Sequence, residues 1–201
     1  MTEWKRPAIV ARLSFPDPRL SCYPFEYAIQ AAATADCAEE RMLKLHGTSM
    51  SSAGRCLWAL EELGLEYEHI PTAIADTRTP AHLKLNPNGH IPVLEDDRLV
   101  LFESIAINLY LADKYGRRDS LWPASVEDRG RAYQWSFWAV TEIEPYLIVM
   151  IRHEMFTPPE ECDLRAIEGA SEALKAPLKV LDDHLKGRDY ILGNKFTIAE
   201  S

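Results

Sequence analysis

The pattern of apolar and polar positions divides the chain into three stretches. Residues 1–41 contain four prolines and no sustained periodicity, so we expect a disordered extension there. An alternative hypothesis is that Met42 is the true start of the protein, because the first predicted strand begins directly after it. From Met42 onwards the spacing of apolar residues becomes regular.

Residues 42–116 have the pattern of an α/β domain. Gly64 is a plausible helix stop, and the turn at 86–89 (Asn-Pro-Asn-Gly) is a strong break. The alternation predicts a right-handed parallel strand–helix–strand unit with an antiparallel hairpin at its edge. The predicted strands are 43–46, 67–70, 90–94 and 99–102, and the predicted helices are 53–63, 80–85 and 105–112.

Residues 123–201, which follow a polar linker at 117–122, have only helical periodicity. We expect Pro145 to kink the first long helix, and we expect the second to end near Gly187. The two apolar stripes are Ala132, Trp135, Ala139, Ile143, Leu147 and Met150, and then Ile167, Ala170, Leu174, Leu178 and Leu181.

Composition narrows the range of functions. A formal charge of −9, from 22 basic and 31 acidic residues, disfavours nucleic acid as a partner. No apolar run approaches the ~20 residues of a membrane span, so we expect no membrane association. The four cysteines include no C-x-x-C pair, so we expect no metal site and reduced thiols in a cytoplasmic protein.

Several short motifs together resemble the glutathione S-transferases. The resemblance runs from Met42 almost to the C-terminus. It implies a thioredoxin-like domain at 42–116 that binds glutathione as co-substrate, followed by an all-α domain at 123–201. The motifs are LKLHG at 43–47, the serines before Arg55, WALEELG at 58–64, NPNGHIP at 86–92 and FES at 102–104.

The resemblance implies a glutathione-binding role for five residues. Ser104, at the start of a helix, would bind the γ-glutamyl carboxylate, and Glu103 would accept from the ammonium group. The alternative is that Ser104 only caps the helix. Pro92 matches the family's cis proline, which would leave the backbone of Ile91 free to pair with the cysteinyl part of glutathione. His90 precedes them as a possible further contact.

The resemblance implies that a tyrosine, serine or cysteine just after the first strand activates the thiol of glutathione. Between the first predicted strand and Arg55 the sequence has neither a tyrosine nor a cysteine, and it offers Thr48, Ser49, Ser51 and Ser52. In the serine-type relatives the catalytic serine lies four residues before an arginine, which points to Ser51 as the catalytic residue. Ser49 and Ser52 remain alternatives, and so does a role for these hydroxyls in capping the helix alone.

In this family the second domain supplies the pocket for a small electrophile. Trp135 and Trp138 are therefore candidates for this pocket, together with Tyr146 and Met150, although packing in the core is the alternative for each. The resemblance also implies a homodimer. The rival hypothesis to a transferase is a glutathione-binding or interaction module of the same fold without significant turnover.

The C-terminus departs from the family pattern. Thr197 would cap a helix and Glu200 would reach back to it, but the chain stops at Ser201 within the first turn. We therefore expect the helical domain to be truncated. Its apolar faces, which carry Trp135, Leu147, Leu174 and Leu178, would then be partly uncovered.

Overall fold

A four-stranded sheet with helices against it forms the first part of the fold. The computed structural model describes residues 42–116 and 121–201, so the predicted extension at 1–41 and most of the predicted linker lie outside the described residues. The elements of this part are β1 (Leu43–Gly47), α1 (Ala53–Leu63), β2 (Tyr67–Pro71), a 3-10 turn (Ile74–Arg78), α2 (Pro80–Leu85), β3 (Val93–Asp96), β4 (Leu99–Phe102) and α3 (Ser104–Tyr115).

The strand order in the sheet is β2-β1-β3-β4. β1 pairs in parallel with β2, with Leu45 opposite His69, and antiparallel with β3, with Leu45 opposite Leu94. β3 and β4 form an antiparallel hairpin. The parallel unit extended by an antiparallel hairpin, which the sequence predicts, is therefore confirmed.

The helix α1 shows why these residues adopt this fold. Its buried face consists of small and apolar residues at helical spacing, including Cys56, Ala59 and Leu60. Gly64 ends the helix in the left-handed region at φ 63°, and its N–H donates to carbonyls of the last turn. The predicted stop at Gly64 is confirmed.

The second part of the fold is helical. It consists of α4 (Val126–Trp138), a π turn (Ala139–Ile143), α5 (Glu144–Ile151), a second π turn (Arg152–Phe156), a 3-10 turn (Pro159–Glu161) and α6 (Leu164–Leu185). The irregularity predicted at Pro145 takes the form of the first π turn, directly before that proline. α6 contains a buried Pro177 in its interior, which the sequence analysis did not anticipate. Within residues 42–116 and 121–201, no helix combines the length and the apolar character that crossing a bilayer requires.

One apolar core joins the two parts. Leu45, Leu60 and Ile107 of the α/β part belong to the same buried cluster as Ala132 and Trp135 of α4. Both parts also fall within a single compact unit of the chain. The boundaries 42–116 and 123–201 therefore remain a prediction based on secondary structure.

The end of the predicted linker needs correction. Leu121 and Trp122 were assigned to a polar connection at 117–122, but both are buried in the core. The carbonyl of Leu121 accepts a hydrogen bond from the N–H of Ile198 at 2.9 Å. Leu121 and Trp122 therefore belong to the core and are not part of a polar linker.

The C-terminal turn also differs from the prediction. Residues Ile198–Glu200 form a 3-10 turn in which the Thr197 hydroxyl accepts from the N–H of Ala199. The Glu200 carboxylate does not reach back to Thr197 and instead accepts from the N–H of Ile191 at 3.1 Å. Burial raises the pKa of Glu200, although the bond from Ile191 opposes this effect.

The apolar faces of the helical part are covered unevenly. Trp135 and Leu174 are buried, contrary to the expected exposure. Leu147 and Leu178 are 38% and 46% exposed.

Candidate functional site

A cavity of about 680 Å³ lies between the α/β part and the helices. We call the lining from the α/β part the sheet-side wall, and the lining from α4, the first π turn and α5 the helical wall. The sheet-side wall consists of Ser51, Ser52, Ile74, Thr77, Asn86, Gly89, His90, Ile91, Pro92, Glu103, Ser104, Ile105 and Ala106. The helical wall consists of Phe137, Val140, Glu144 and Ile148.

The cavity brings together most of the residues singled out in the sequence. All six predicted residues of the α/β part line it: Ser51, His90, Ile91, Pro92, Glu103 and Ser104. They come from three separate segments of the chain. The sheet brings these segments together, because the end of β1, the start of β3 and the end of β4 lie at the same end of the sheet.

The turn between β1 and α1 presents two serine hydroxyls to the cavity. The Ser51 hydroxyl donates to the carbonyl of Thr48 at 2.8 Å, and its oxygen accepts from the N–H of Ala53 at 3.2 Å. The Ser52 hydroxyl lies 3.4 Å from the carbonyl of Ile91. The Ser51 oxygen therefore accepts from the first N–H of α1. To donate to a bound atom instead of the Thr48 carbonyl, only the hydroxyl proton would have to rotate.

The loop before β3 is fixed by two buried side chains. The carbonyl of His90 accepts from the amide of Asn86 at 2.9 Å and lies 2.9 Å from Nε2 of His82. The side-chain oxygen of Asn86 accepts in turn from the N–H of Asn88. The Ile91–Pro92 peptide bond is cis, as the resemblance implies. Because the side chains of Asn86 and His82 hold the carbonyl of His90, the neighbouring Ile91 is held at the cavity surface.

The start of α3 has an unusual backbone. Glu103, the residue before the helix, has φ 72° and ψ 110°. Such values are costly for a residue with a side chain and are concentrated at functional sites. Ser104 is the first helical residue and is buried, and its carbonyl lies 3.5 Å from Sγ of Cys56. The free N–H groups at the start of this 12-residue helix favour a carboxylate in the cavity.

The helical wall is apolar apart from one acidic residue. Phe137, Val140 and Ile148 contribute apolar surface, and Glu144 contributes a carboxylate. Oε1 of Glu144 forms an ion pair at 3.1 Å with a guanidinium nitrogen of Arg55 in α1. Both side chains are largely buried, at 27% exposed for Glu144 and 22% for Arg55.

The two tryptophans expected in the electrophile pocket lie elsewhere. Trp135 is buried in the core and packs edge-on against Trp138, with ring centroids 4.9 Å apart. Trp138 packs against the same core, and neither ring lines the cavity. Tyr146 and Met150 are also absent from the lining, which corrects the expected composition of this wall.

Sequence reasoning missed the residues that form the helical wall. Phe137, Val140, Glu144 and Ile148 follow one another at intervals of three or four residues, which is the spacing of a single helix face. That spacing could have identified the wall. It was overlooked because the neighbouring stripe through Ala132 and Trp135 is more strongly apolar.

In the part of the chain that the structure describes, no cysteine lines the cavity, and the buried Cys56 is not available as its reactive group. Burial raises the pKa of Cys56 to about 12, although the positive charge of Arg55 opposes this effect. A thiol with such a pKa is protonated at neutral pH and is a poor nucleophile. In the two described ranges, 42–116 and 121–201, no cluster of three or more histidine, cysteine or acidic residues is arranged to hold a metal ion.

The chemistry of the sheet-side wall suits a small peptide-like anion that carries a reactive group. The α3 N-terminus provides N–H groups for a carboxylate, Glu103 provides an acceptor for a cation, and Ser51 and Ser52 provide hydroxyl groups. The apolar helical wall faces them across the cavity and suits a hydrophobic second reactant.

Comparison with protein families identifies the α/β part. Residues 41–113 match the family described as "Glutathione S-transferase, N-terminal domain". The match covers the sheet and all of the sheet-side wall.

Comparison with individual proteins extends the similarity beyond this domain. The chain is 32% identical over 167 residues to glutathione S-transferase F9 of Arabidopsis thaliana, covering 79% of this chain and 76% of the relative. It is 34% identical over 164 residues to the glutathione S-transferase GstB of Escherichia coli, covering 79% and 78%.

A solved structure shows the same fold. The theta class glutathione S-transferase from the citrus canker pathogen Xanthomonas axonopodis pv. citri, determined with glutathione bound, superposes with a TM-score of 0.74. It is 31% identical in sequence, and the similarity covers 79% of this chain and 77% of that one.

Proposed function

The chain belongs to the glutathione S-transferase family, and from that premise we propose that it conjugates glutathione to a small electrophile in the cavity between the two walls. The observation that supports this proposal most strongly is the meeting of Ser51, the Ile91–Pro92 loop and the start of α3 in one cavity. These groups match the three parts of glutathione that a transferase must hold.

Glutathione would lie along the sheet-side wall. Its γ-glutamyl carboxylate would accept from the hydroxyl and N–H of Ser104, assisted by the α3 dipole. Its ammonium group would donate to Glu103. The backbone of Ile91 would pair with the cysteinyl residue, and His90 would be a further contact.

Arg78 supports a place for the glycyl carboxylate. A Cβ atom built on Gly89 would lie 2.9 Å from a guanidinium nitrogen of Arg78, so this cation lies directly against the cavity lining. The glycyl end of glutathione would therefore extend towards Arg78.

The Ser51 hydroxyl would activate the sulfur. The N–H of Ala53 fixes its oxygen, and its proton would rotate from the Thr48 carbonyl to the sulfur. A hydrogen bond donated to a thiolate favours the charged form, so it lowers the pKa of the thiol. The N–H groups at the start of α1 would add to this effect.

The reaction would be a substitution at the electrophile. The proton of the glutathione thiol leaves to solvent, and the thiolate attacks the electrophilic carbon. A sulfur–carbon bond forms, the bond to the leaving group breaks, and the leaving group departs with the electron pair. The apolar residues Phe137, Val140 and Ile148 would hold the electrophile in place.

The biological setting is also part of the proposal. We propose a homodimer, and the exposed apolar side chains of Leu99, Val100 and Phe102 on β4, together with Tyr133 on α4, support it. We propose a cytoplasmic location and a role in detoxification of electrophiles. The free thiols Cys56 and Cys162 are consistent with that location.

Calorimetric titration with reduced glutathione tests the binding site. Ser104→Ala removes a hydroxyl from the proposed carboxylate site, so we expect glutathione to bind on the order of tenfold more weakly. Ser171→Ala is the matched control, because Ser171 is exposed on α6 and far along the chain from the cavity. Equal affinities for the two variants would contradict the proposed position of glutathione.

The pKa of the bound thiol tests its activation. Ser51→Ala should raise this pKa by about one to two pH units, because the thiolate loses a charge-assisted hydrogen bond. The ultraviolet absorbance of the thiolate, followed against pH, measures it. A rise in Ser52→Ala instead would transfer the role to Ser52.

Turnover separates the transferase from its rival. Conjugation of chlorodinitrobenzene by the wild-type chain, lost in Ser51→Ala, is the expected result. Glutathione binding without any turnover would favour the alternative, a binding module of the same fold.

A further inference from the structure

The helical wall presents one charge to the cavity, and that charge is negative. Glu144 lines the cavity, whereas its partner Arg55 is not among the lining residues. Glu144 therefore contributes to the surface that a ligand contacts, whereas Arg55 does not. The other acidic residue of the lining is Glu103, on the opposite wall.

The position of Arg55 relates the Arg55–Glu144 ion pair to Ser51, the residue proposed to activate the sulfur. Arg55 follows Ser51 by four residues in the chain, and its partner Glu144 lines the same cavity as Ser51. Both partners of the Arg55–Glu144 pair are partly buried, at 22% and 27% exposed, so solvent and salt screen them less than a fully exposed pair.

We propose that Glu144 determines which charge the electrophile can carry. Its carboxylate covers Arg55 and repels anionic groups in the apolar half of the cavity, so that uncharged electrophiles are accepted and electrophiles bearing a carboxylate are rejected. This specificity role rests on the proposed transferase function. Without Glu144, Arg55 would become an exposed cation that attracts the same anionic electrophiles.

The ion pair also connects α1 to α5, so a purely structural role has to be distinguished. If Glu144 only positioned α5, its loss would weaken the binding of all ligands of the helical wall alike. If its charge selects the electrophile, the loss would affect anionic and uncharged ligands in opposite directions. The test therefore compares two ligands that differ mainly in charge.

The probes are two glutathione conjugates, which report binding without any need for turnover. One is the dinitrophenyl conjugate formed from chlorodinitrobenzene. The other carries a carboxylate in place of the nitro group para to sulfur. Calorimetry gives the ratio of their dissociation constants for each variant.

Glu144→Gln removes the charge and keeps the shape of the side chain. We expect the anionic conjugate to bind on the order of tenfold more tightly relative to the uncharged one than it does to the wild type. Glu142→Gln is the matched control. Glu142 is exposed two residues earlier and does not line the cavity, so its loss should leave the ratio unchanged. An unchanged ratio in Glu144→Gln, or the same change in Glu142→Gln, would overturn the proposal.

A second measurement does not depend on the stability of any variant. In the wild type, added salt should screen the repulsion, so that the affinity for the anionic conjugate approaches that for the uncharged one. A ratio that does not change with ionic strength would overturn the proposal.

Turnover distinguishes failure of this inference from failure of the proposed function. The kcat/KM values for chlorodinitrobenzene and for its carboxylate counterpart should change in Glu144→Gln in the same direction as the conjugate affinities. Conjugate binding that follows the expected ratio in a chain without turnover would support the specificity role and count against the transferase activity. Turnover with an unaltered ratio would support the transferase and overturn the role of Glu144.

Discussion

The two walls of the cavity are held in place by different means. On the sheet-side wall, local contacts hold the backbone in place: the side chains of Asn86 and His82 bind the carbonyl of His90, and Glu103 has a positive φ. On the helical wall, side chains project from a long helix, and Phe137 and Ile148 are each 55% exposed.

This difference corresponds to what each wall would bind. Glutathione is the same molecule in every cycle, so a site with fixed backbone donors loses little conformational entropy on binding it. Electrophiles vary in shape, and exposed side chains on a helix can change rotamer to meet them. We therefore expect substitutions on the sheet-side wall to cost both stability and binding, and those on the helical wall to alter electrophile use alone.

The largest effect is expected at Gly47, where β1 ends beneath the sheet-side wall. A Cβ atom there would lie 2.5 Å from Cβ of Ala53, and φ is 148°. Gly47→Ala should therefore reduce the free energy of unfolding by about 3 kcal/mol and abolish glutathione binding. Chemical denaturation and calorimetry measure the two quantities.

Gly64→Ala provides the control for Gly47. Gly64 also has a positive φ, of 63°, but no atom lies within 4 Å of the added Cβ. This substitution should cost about 1 kcal/mol from backbone strain alone and leave binding intact. Equal costs at the two glycines would show that the contact with Ala53 is unimportant.

The next effect is expected at Asn86. This buried side chain bonds the His90 carbonyl and the Asn88 N–H, and Asn86→Ala leaves both without that partner. We expect a loss of about 2 kcal/mol in the free energy of unfolding and about tenfold weaker glutathione binding. Asn88→Ala is the control, because Asn88 is exposed and its backbone N–H remains after the substitution. It should change neither the free energy of unfolding nor glutathione binding. A similar loss in this variant would contradict the role assigned to Asn86.

A smaller and more selective effect is expected at Phe137 on the helical wall. Phe137→Ala should raise the KM for chlorodinitrobenzene about fivefold, because apolar contact is lost, while the dissociation constant of glutathione stays the same. Steady-state kinetics with each substrate varied in turn gives both values. Tyr133→Ala, one turn earlier and outside the lining, is the control. A parallel loss of glutathione affinity in Phe137→Ala would mean that the walls are not independent.

The smallest effect is expected at Cys56, beneath the sheet-side wall. Its pKa is raised to about 12 by burial, so its reactive thiolate is about a thousandfold scarcer than that of a thiol at the ordinary value of 9.0. In the folded protein we expect an alkylating reagent to label Cys162 and to leave Cys56 unmodified at neutral pH. Peptide mass spectrometry distinguishes the two sites. Rapid labelling of Cys56 would show that the sheet-side wall opens, which would contradict the rigidity assigned to this wall.

Local sequence signals predicted the α/β part well. The helix at Pro80–Leu85 and the strand Leu99–Phe102 have the predicted bounds. Pro80 and Asn86 mark the ends of the helix, and the polar turn at 95–98 precedes the strand. Six residues of the sheet-side wall could also be named in advance, since each belongs to a short motif at a strand or helix end: Ser51, His90, Ile91, Pro92, Glu103 and Ser104.

The helical wall was harder to predict, because the spacing of Phe137, Val140, Glu144 and Ile148 is a weaker signal than a short motif and the geometry of the wall depends on a π turn. A residue added to a helical turn rotates the following face by about 100°, so the stripe through Ala132 and Trp135 does not continue inward at Leu147. Pro145 indicates an irregularity near this point, but the sequence does not indicate that it takes the form of a π turn. The Arg55–Glu144 pair was equally inaccessible, because only the folded chain brings these two residues together.

The π turn Ala139–Ile143 has a consequence for how this wall can evolve. A π turn accommodates one residue more than an α-helical turn, so a single-codon deletion within it would leave a continuous α-helix in place of a broken one. Such a deletion would present a different set of side chains to the cavity beyond the turn. The same deletion in α1 would misalign its buried face. One small genetic change could thus exchange the electrophile-facing surface in a single step while the glutathione-facing surface is inherited unaltered.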